Sequence, residues 1–268
     1  MGCNLISFLY VYKNGYLISI MKVENKRCLN CGNIVDDNYC SKCGQSIHTS
    51  RIKTSHILEE LQYGLFHINR GLLYTLKELF VHPGETVKNY ISGRRAKYTK
   101  PFIFLLFAGV IYSLIFHFFH YLPMEEMNKH DGAIFEYIPI YDWYSANYSL
   151  TVLLLIPFYS LSTYWLFYNR GCNYAEHLVL FSYLNGAKIF FLLLMYPVIY
   201  LTKSSSIYHI SLIISEIYLV WGLAQFFKST SWIKVILKVI LSLFVAVIEM
   251  LLLVFLVFLI LQYYDFKL

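Results

Sequence analysis

The chain has 268 residues, of which 58% are hydrophobic, 19% aromatic and only 14% charged. A soluble domain is about half apolar and roughly a quarter charged, so this composition excludes an ordinary water-soluble globule and points to a polytopic membrane protein. The net charge of +6 argues for lipid headgroups over nucleic acid, because 14 of the 22 Lys and Arg residues fall in the first 100 positions, with Arg94, Arg95, Lys97 and Lys100 set against the first long apolar run.

Residues 1–22 carry a short apolar run, Leu5 to Tyr12, broken by Lys13, Asn14 and Gly15. No basic residue precedes the run and no small-residue cleavage site follows it, which fits a secretory signal badly. Ile6 stands where a myristoylation signal needs Ser or Thr. The segment reads as an upstream extension, disordered or loosely surface-bound, with Met21 as the natural start.

Residues 23–50 hold Cys28-x-x-Cys31-Gly32 and, after seven residues, Cys40-x-x-Cys43-Gly44. Each CxxC turn aims two sulfurs at one point, and the following glycine supplies the positive φ such turns need. Two such knuckles form a closed tetrahedral shell of four thiolates, the pattern of a structural zinc; a rubredoxin-like iron and redox thiols are the alternatives. About 25 residues build no core of their own, so metal binding is expected to drive folding. Cys3 and Cys172 are isolated, so the cysteines do not read as a disulfide framework. Asn30, Asp36, Asp37 and Lys42 give the ribbon a mixed charge unsuited to nucleic acid. Two roles stay open for it: a cap on the N-terminus, or a docking point for a cytoplasmic protein partner.

Residues 51–100 read as amphipathic juxtamembrane helices. Thr54 or Ser55 caps a first helix with Ile57, Leu58, Leu61, Leu65 and Ile68 at helical spacing. Asn69 caps a second helix that runs through Leu72, Leu73, Leu76, Leu79 and Phe80 and ends before His82-Pro83-Gly84. A third covers Glu85 to Ser92 and stops at Gly93. Such helices either lie along the cytoplasmic membrane surface or pack against the ends of the spanning helices. Arg94, Arg95, Lys97 and Tyr98 read as a membrane-headgroup anchor.

The combination CxxCG, YCxxCGQ (Tyr39 to Gln45) and P-x6-Y-I-x-G-R-R-x-x-Y-x-x-P (Pro83 to Pro101), followed by Tyr174-Ala-Glu176-His177-Leu-Val, resembles the domain of unknown function 3667 family. The resemblance covers about residues 28–190. It implies a Bacteroidota-type cytoplasmic-membrane protein with a zinc ribbon, and it brings no activity with it.

Residues 101–268 form the transmembrane domain. A span needs about 20 apolar residues, and five are expected, at about 102–122, 150–168, 176–201, 207–227 and 239–261. The fifth begins earlier if Lys234 and Lys238 snorkel back to the surface. The fold class is thus all-α: a five-helix transmembrane bundle with a small N-terminal four-cysteine zinc ribbon and amphipathic linker helices. Basic residues in the N-terminal region, at Arg170 and at Lys228 and Lys234, set against the acidic 123–149 loop, put the N-terminus in the cytoplasm and the C-terminus outside a bacterial inner membrane. The aromatic stretch Ile134 to Tyr144 in that loop reads as an interfacial segment. Five spans make a thin wall for a pore, which leaves room for a homo-oligomer.

Lys188, Glu216 and Glu249 fall near the centres of three spans. A charge at that depth costs roughly 2.5–3.5 kcal/mol, so each is expected to face inward, with Lys188 paired to Glu216 or Glu249. His177 lies eleven residues before Lys188, three helical turns, so Glu176 and His177 would open a polar track toward the midplane. The cluster reads either as helix-registry bonding or as a functional cavity. Glu176-His177 lacks the second histidine of a His-Glu-x-x-His metalloprotease, and His117 and His120 read as interfacial. The favoured function is a non-enzymatic adaptor or sensor whose zinc ribbon engages a cytoplasmic partner. A small transporter or channel using Lys188, Glu216 and Glu249 is the alternative, and an intramembrane enzyme centred on Glu176 and His177 comes third.

Overall fold

Apolar side chains at helical length dominate the second half of the chain, and among the described residues they form five helices long and apolar enough to cross a membrane. The computed structural model describes residues 9–13, 16–20, 26–54, 71–119, 147–202, 204–228 and 231–265. These divide into two units, Met1–Ser50 and Arg51–Leu268.

In the first unit, β1 (Leu9–Lys13) and β2 (Tyr16–Ile20) pair antiparallel, with Leu9 opposite Ile20 and Lys13 opposite Tyr16. This corrects the expectation of an irregular extension. Only Asn14 and Gly15 separate the strands, and Asn-Gly between two apolar runs is the strongest short-range hairpin signal. Next, β3 (Lys26–Arg27) pairs antiparallel with β4 (Ile34–Val35), and Tyr39 bridges Ser46. Cys28, Val35 and Cys40 are buried, with Cys31, Cys43 and Ile47 packed against them.

The second unit is helical. Two short helices come first, α1 (Leu72–Val81) and α2 (Pro83–Ile91). Pro83 opens α2 at the one helical position where a missing N–H costs nothing, and Gly93, at φ 100°, turns the chain after it. The five long helices are α3 (Pro101–Phe119), α4 (Tyr148–Leu166), α5 (Tyr174–Thr202), α6 (Ser205–Phe226) and α7 (Trp232–Asp265). A 3-10 turn, Tyr168–Arg170, joins α4 to α5. The fifth helix starts seven residues before its expected point and includes Lys234 and Lys238. The expected helix over 55–68, the 123–146 loop with its aromatic stretch, and His120 lie outside the described residues.

Helix α5 is the centre. It packs on α1, α2, α3, α4 and α6, and 67% of its most apolar stretch is shielded, against 17% for α7. Small residues make the close approaches possible. A Cβ on Gly186 would lie 2.6 Å from the Phe104 ring, and one on Gly222 would lie 2.7 Å from Leu184. The linker helices pack onto the spans: Leu79, Val87, Thr75 and Thr86 are buried, and Tyr218 donates to the Leu79 carbonyl at 3.0 Å. A Cβ on Gly84 would sit 2.4 Å from the backbone nitrogen of Phe226. Of the two readings for α1 and α2, contact with the span ends is the one observed. Residues 95–101 are fastened in the same way, since Thr75 accepts from the Thr99 N–H and Tyr183 donates to the Thr99 carbonyl.

Candidate functional site

The two knuckles are built alike. In each, the fifth residue's N–H (Gly32 or Gly44) returns to the carbonyl of the first cysteine at 2.8 Å, and that cysteine's N–H bonds the carbonyl five residues on (Asn33 or Gln45) at 2.9 Å. Gly32 and Gly44 hold φ of 74° and 73°, which L side chains resist. The geometry leaves the sulfurs of Cys28, Cys31, Cys40 and Cys43 all within 4.8 Å of one another, with Cys28–Cys43 and Cys31–Cys40 at 3.5 Å. A tetrahedral shell with metal–sulfur bonds of about 2.3 Å has sulfur–sulfur edges near ~3.8 Å, so the four residues fit a metal ion. The Asn33 backbone favours the Cys31 thiolate, but burial and the neighbouring thiols outweigh it and push Cys31 up to about 11. Burial opposes ionisation of Cys40, but the backbone at Cys43 and Lys42 brings it down to about 7. Ionising all four sulfurs this close together would need a cation among them.

The Glu176-His177 motif resolves into two separate structural roles. Asn173 and Glu176 form a reciprocal capping box at the start of α5. Asn173 Oδ1 accepts from the Glu176 N–H at 2.9 Å, and Glu176 Oε2 accepts from the Asn173 N–H at 2.8 Å. Arg51 then clamps the same carboxylate from both sides, Nε to Oε1 at 2.8 Å and Nη2 to Oε2 at 3.0 Å, and reaches the Gly171 carbonyl at 2.6 Å. Glu176 holds the guanidinium above its ordinary range. Asn173 Nδ2 also bonds the Ile52 carbonyl at 3.0 Å, so residues 51 and 52 are locked onto the α4–α5 turn. Sequence reading missed Arg51, which lies 125 residues from its partner. The Asn-x-x-Glu cap was there to be read.

His177 points elsewhere. Its Nδ1 lies 2.9 Å from the Thr163 hydroxyl, which itself sits 2.8 Å from the Tyr159 carbonyl. Which of the two groups donates depends on the His177 tautomer, and Nε2 is left buried without a partner among the described residues. The ring lies against Phe227 at 5.6 Å and meets Tyr164 edge-on.

The midplane residues do not form one cluster. Lys188, almost fully buried, pairs with Glu216, whose side chain is 59% exposed. This corrects the expectation that all three charges face inward, because Glu216 sits at the outer edge of α6 and the ammonium reaches out to it. Glu249 does not join them; both its carboxylate oxygens are buried without a hydrogen-bond partner among the described residues. The polar track is corrected as well. Between His177 and Lys188 the helix face carries Leu180, Phe181 and Leu184, each fully buried, so the two ends are separated by apolar packing.

The anchor residues are partly engaged by protein. Arg94 bonds the Asn89 side chain at 3.3 Å, Arg95 bonds the Tyr90 carbonyl and lies over its ring at 5.3 Å, and Lys97 lies over Tyr74 at 5.9 Å. Tyr98 packs between Tyr74 and Tyr90, and burial pushes its hydroxyl up to about 12. These contacts tie α1 and α2 to the strand that enters α3.

No curated protein and no solved structure matches the chain. Residues 69–113 match the family model described as Protein of unknown function (DUF3667). That stretch carries Thr75, Pro83, Gly84, Tyr90, Thr99 and Phe104, the residues that seat the linker helices and α3 against the rest of the bundle. Over this segment the chain is similar to the domain of unknown function 3667 family.

Proposed function

We propose that this is a membrane-anchored zinc-ribbon protein, and not an enzyme, whose four-cysteine head engages a soluble protein on the cytoplasmic side of a bacterial inner membrane. The observation that carries the reading is apolar surface on the head: Leu29, Ile34 and Tyr39 are 52%, 49% and 66% exposed on a unit held together by four thiolates. Exposed aliphatic and aromatic side chains on a small rigid module are what a partner's apolar pocket takes. Zinc is the metal of choice for an all-thiolate tetrahedron closed to substrate, and a reducing compartment keeps its thiolates free. An odd number of spans puts the two ends on opposite sides, and basic residues at Arg170, Lys228 and Lys234 favour the cytoplasm for the N-terminal side.

Elsewhere the polar groups of the bundle serve packing. Glu176 caps a helix, His177 bonds Thr163, and Lys188 pairs with Glu216, which weakens the case for catalysis. A small transporter or channel is the second reading, and Glu249, a half-buried residue whose two carboxylate oxygens are buried and unpartnered among the described residues, is the observation that favours it. The test is affinity capture from cross-linked native membranes with the full chain and with Leu29→Ser/Tyr39→Ser, which retains all four cysteines. A partner held by the first and lost by the second supports docking. A partner set unchanged by both that substitution and Cys40→Ser/Cys43→Ser would overturn it.

A further inference from the structure

Four basic side chains from four separate elements gather where α4 and α6 end and α7 begins. Phe167, just past α4, and Phe227, just past α6, stack face to face at 4.0 Å and 9°, and Phe226 meets Phe227 edge-on at 4.9 Å. On this aromatic platform Lys88 of α2 lies 5.8 Å from the Phe226 ring and bonds the Gln225 carbonyl at 3.4 Å. Lys238 of α7 lies 5.8 Å from the Phe167 ring. Lys228 follows Phe227 directly and lies 5.8 Å from Trp232, and Arg170 ends the 3-10 turn three residues after Phe167. All four are exposed, and none is in a salt bridge among the described residues.

The charges feel one another. Burial lowers the Lys88 ammonium below its ordinary range, Glu85 and Cys172 act against that, and Lys228 and Arg170 lower it further. Glu176, a second carboxylate of this end, is taken up by Arg51. The outgoing ends of α4 and α6 offer partial negative charge to their last turns, which is less than four cations require. A group with a full negative charge and several acceptor oxygens is what completes the set, and the ends of spanning helices put that group at headgroup depth. Trp232 at the rim is placed as interfacial tryptophans are.

We propose that Lys88, Arg170, Lys228 and Lys238 form a binding site for the phosphodiester headgroup of an anionic phospholipid. The aromatic platform orients the Lys88 and Lys238 ammonium groups, so that the headgroup meets placed cations in place of a diffuse basic surface.

The full-length protein, stripped of lipid in detergent, is titrated with phosphatidylglycerol or phosphatidylcholine and read by native mass spectrometry. Phosphatidylglycerol should be retained at low stoichiometry and phosphatidylcholine should not. Lys88→Gln/Lys228→Gln should weaken retention about thirty-fold, two charges at the surface. Lys53→Gln/Lys77→Gln, which removes equal charge from the same unit, should change it less than about twofold. Equal loss in both variants, or equal retention of both lipids, overturns the site. Displacement of phosphatidylglycerol by equimolar inorganic phosphate overturns the lipid assignment in favour of a soluble phosphate. Should the first variant fail to fold, Arg170→Gln/Lys238→Gln makes the same comparison.

Discussion

Glu176→Gln offers the sharpest test of whether the Glu-His motif is a fastening. The carboxylate is buried, with its side chain 5% exposed, while that of Arg51 is 58% exposed. The amide oxygen that this substitution introduces still accepts from the Asn173 N–H, so the cap survives and the ion pair is lost. An ion pair with one exposed partner contributes about 1 kcal/mol. Glu176→Ala also removes the reciprocal bond to the Asn173 N–H and leaves the Asn173 cap itself in place, a further ~1 kcal/mol, for a total of ~2 kcal/mol. Arg51→Ala leaves the buried carboxylate with only Asn173 and should cost about 2 kcal/mol. Measured by thermal unfolding in detergent, the Arg51→Ala/Glu176→Gln cycle should show a coupling of about 1 kcal/mol. Trypsin supplies a second readout, because the bond after Arg51 leads to Ile52, which is buried, and is cut only when this segment opens. Glu176→Gln should speed that cut about fivefold, the equivalent of ~1 kcal/mol. Strict additivity in the cycle together with an unchanged cleavage rate would refute the reasoning.

Cys40→Ser/Cys43→Ser should lose one equivalent of bound metal and the ordered head while the spans melt as before, checked by metal analysis and by NMR of the first unit; the metal site is worth on the order of 10–16 kcal/mol in comparable peptides. Glu216→Gln should destabilise the bundle more than Lys188→Met/Glu216→Gln, since the single change leaves a buried ammonium alone, at roughly 3–5 kcal/mol; a double variant no better than the single one contradicts the pairing. Gly186→Ala should cost about 1–3 kcal/mol by driving Phe104 off α5, read as a lowered Tm. Burial, with help from Glu176, raises the Cys172 thiol, and Arg51 and Lys88 only partly offset it. Its thiolate is therefore scarcer than that of a free cysteine at any pH where the latter begins to ionise, and maleimide labelling of the Cys172 peptide should climb at a higher pH than in an unstructured control.

The five long apolar helices and the four-cysteine head were legible because each is written locally: about twenty apolar residues state a membrane thickness, and two CxxCG turns bring four sulfurs together. What escaped depends on rotation and distance. The sequence places Lys188 within reach of two carboxylates, but only the angular setting of α6 decides for Glu216 and strands Glu249. The clamp from Arg51 to Glu176 bridges 125 positions, and nothing near either residue announces the other. The seating of α1 and α2 turns on Gly84, whose missing side chain admits the backbone of Phe226; the amphipathic pattern alone serves a membrane surface equally well. The first hairpin is written plainly in Asn14-Gly15, but a lone two-stranded hairpin is marginal in water, so two short apolar runs do not by themselves announce paired strands.

The separation between Lys188 and Glu216 has a consequence for biogenesis. Glu216 is synthesised 28 residues after Lys188, so when α5 leaves the ribosome its ammonium has nothing to meet in the bilayer. Releasing α5 alone into lipid would strand that charge, whereas holding it at the insertion machinery until α6 arrives lets the two helices enter as a neutralised hairpin. A nascent chain ending at Ser204 should therefore remain beside the translocation channel, and one extended beyond Phe227 should partition into the membrane.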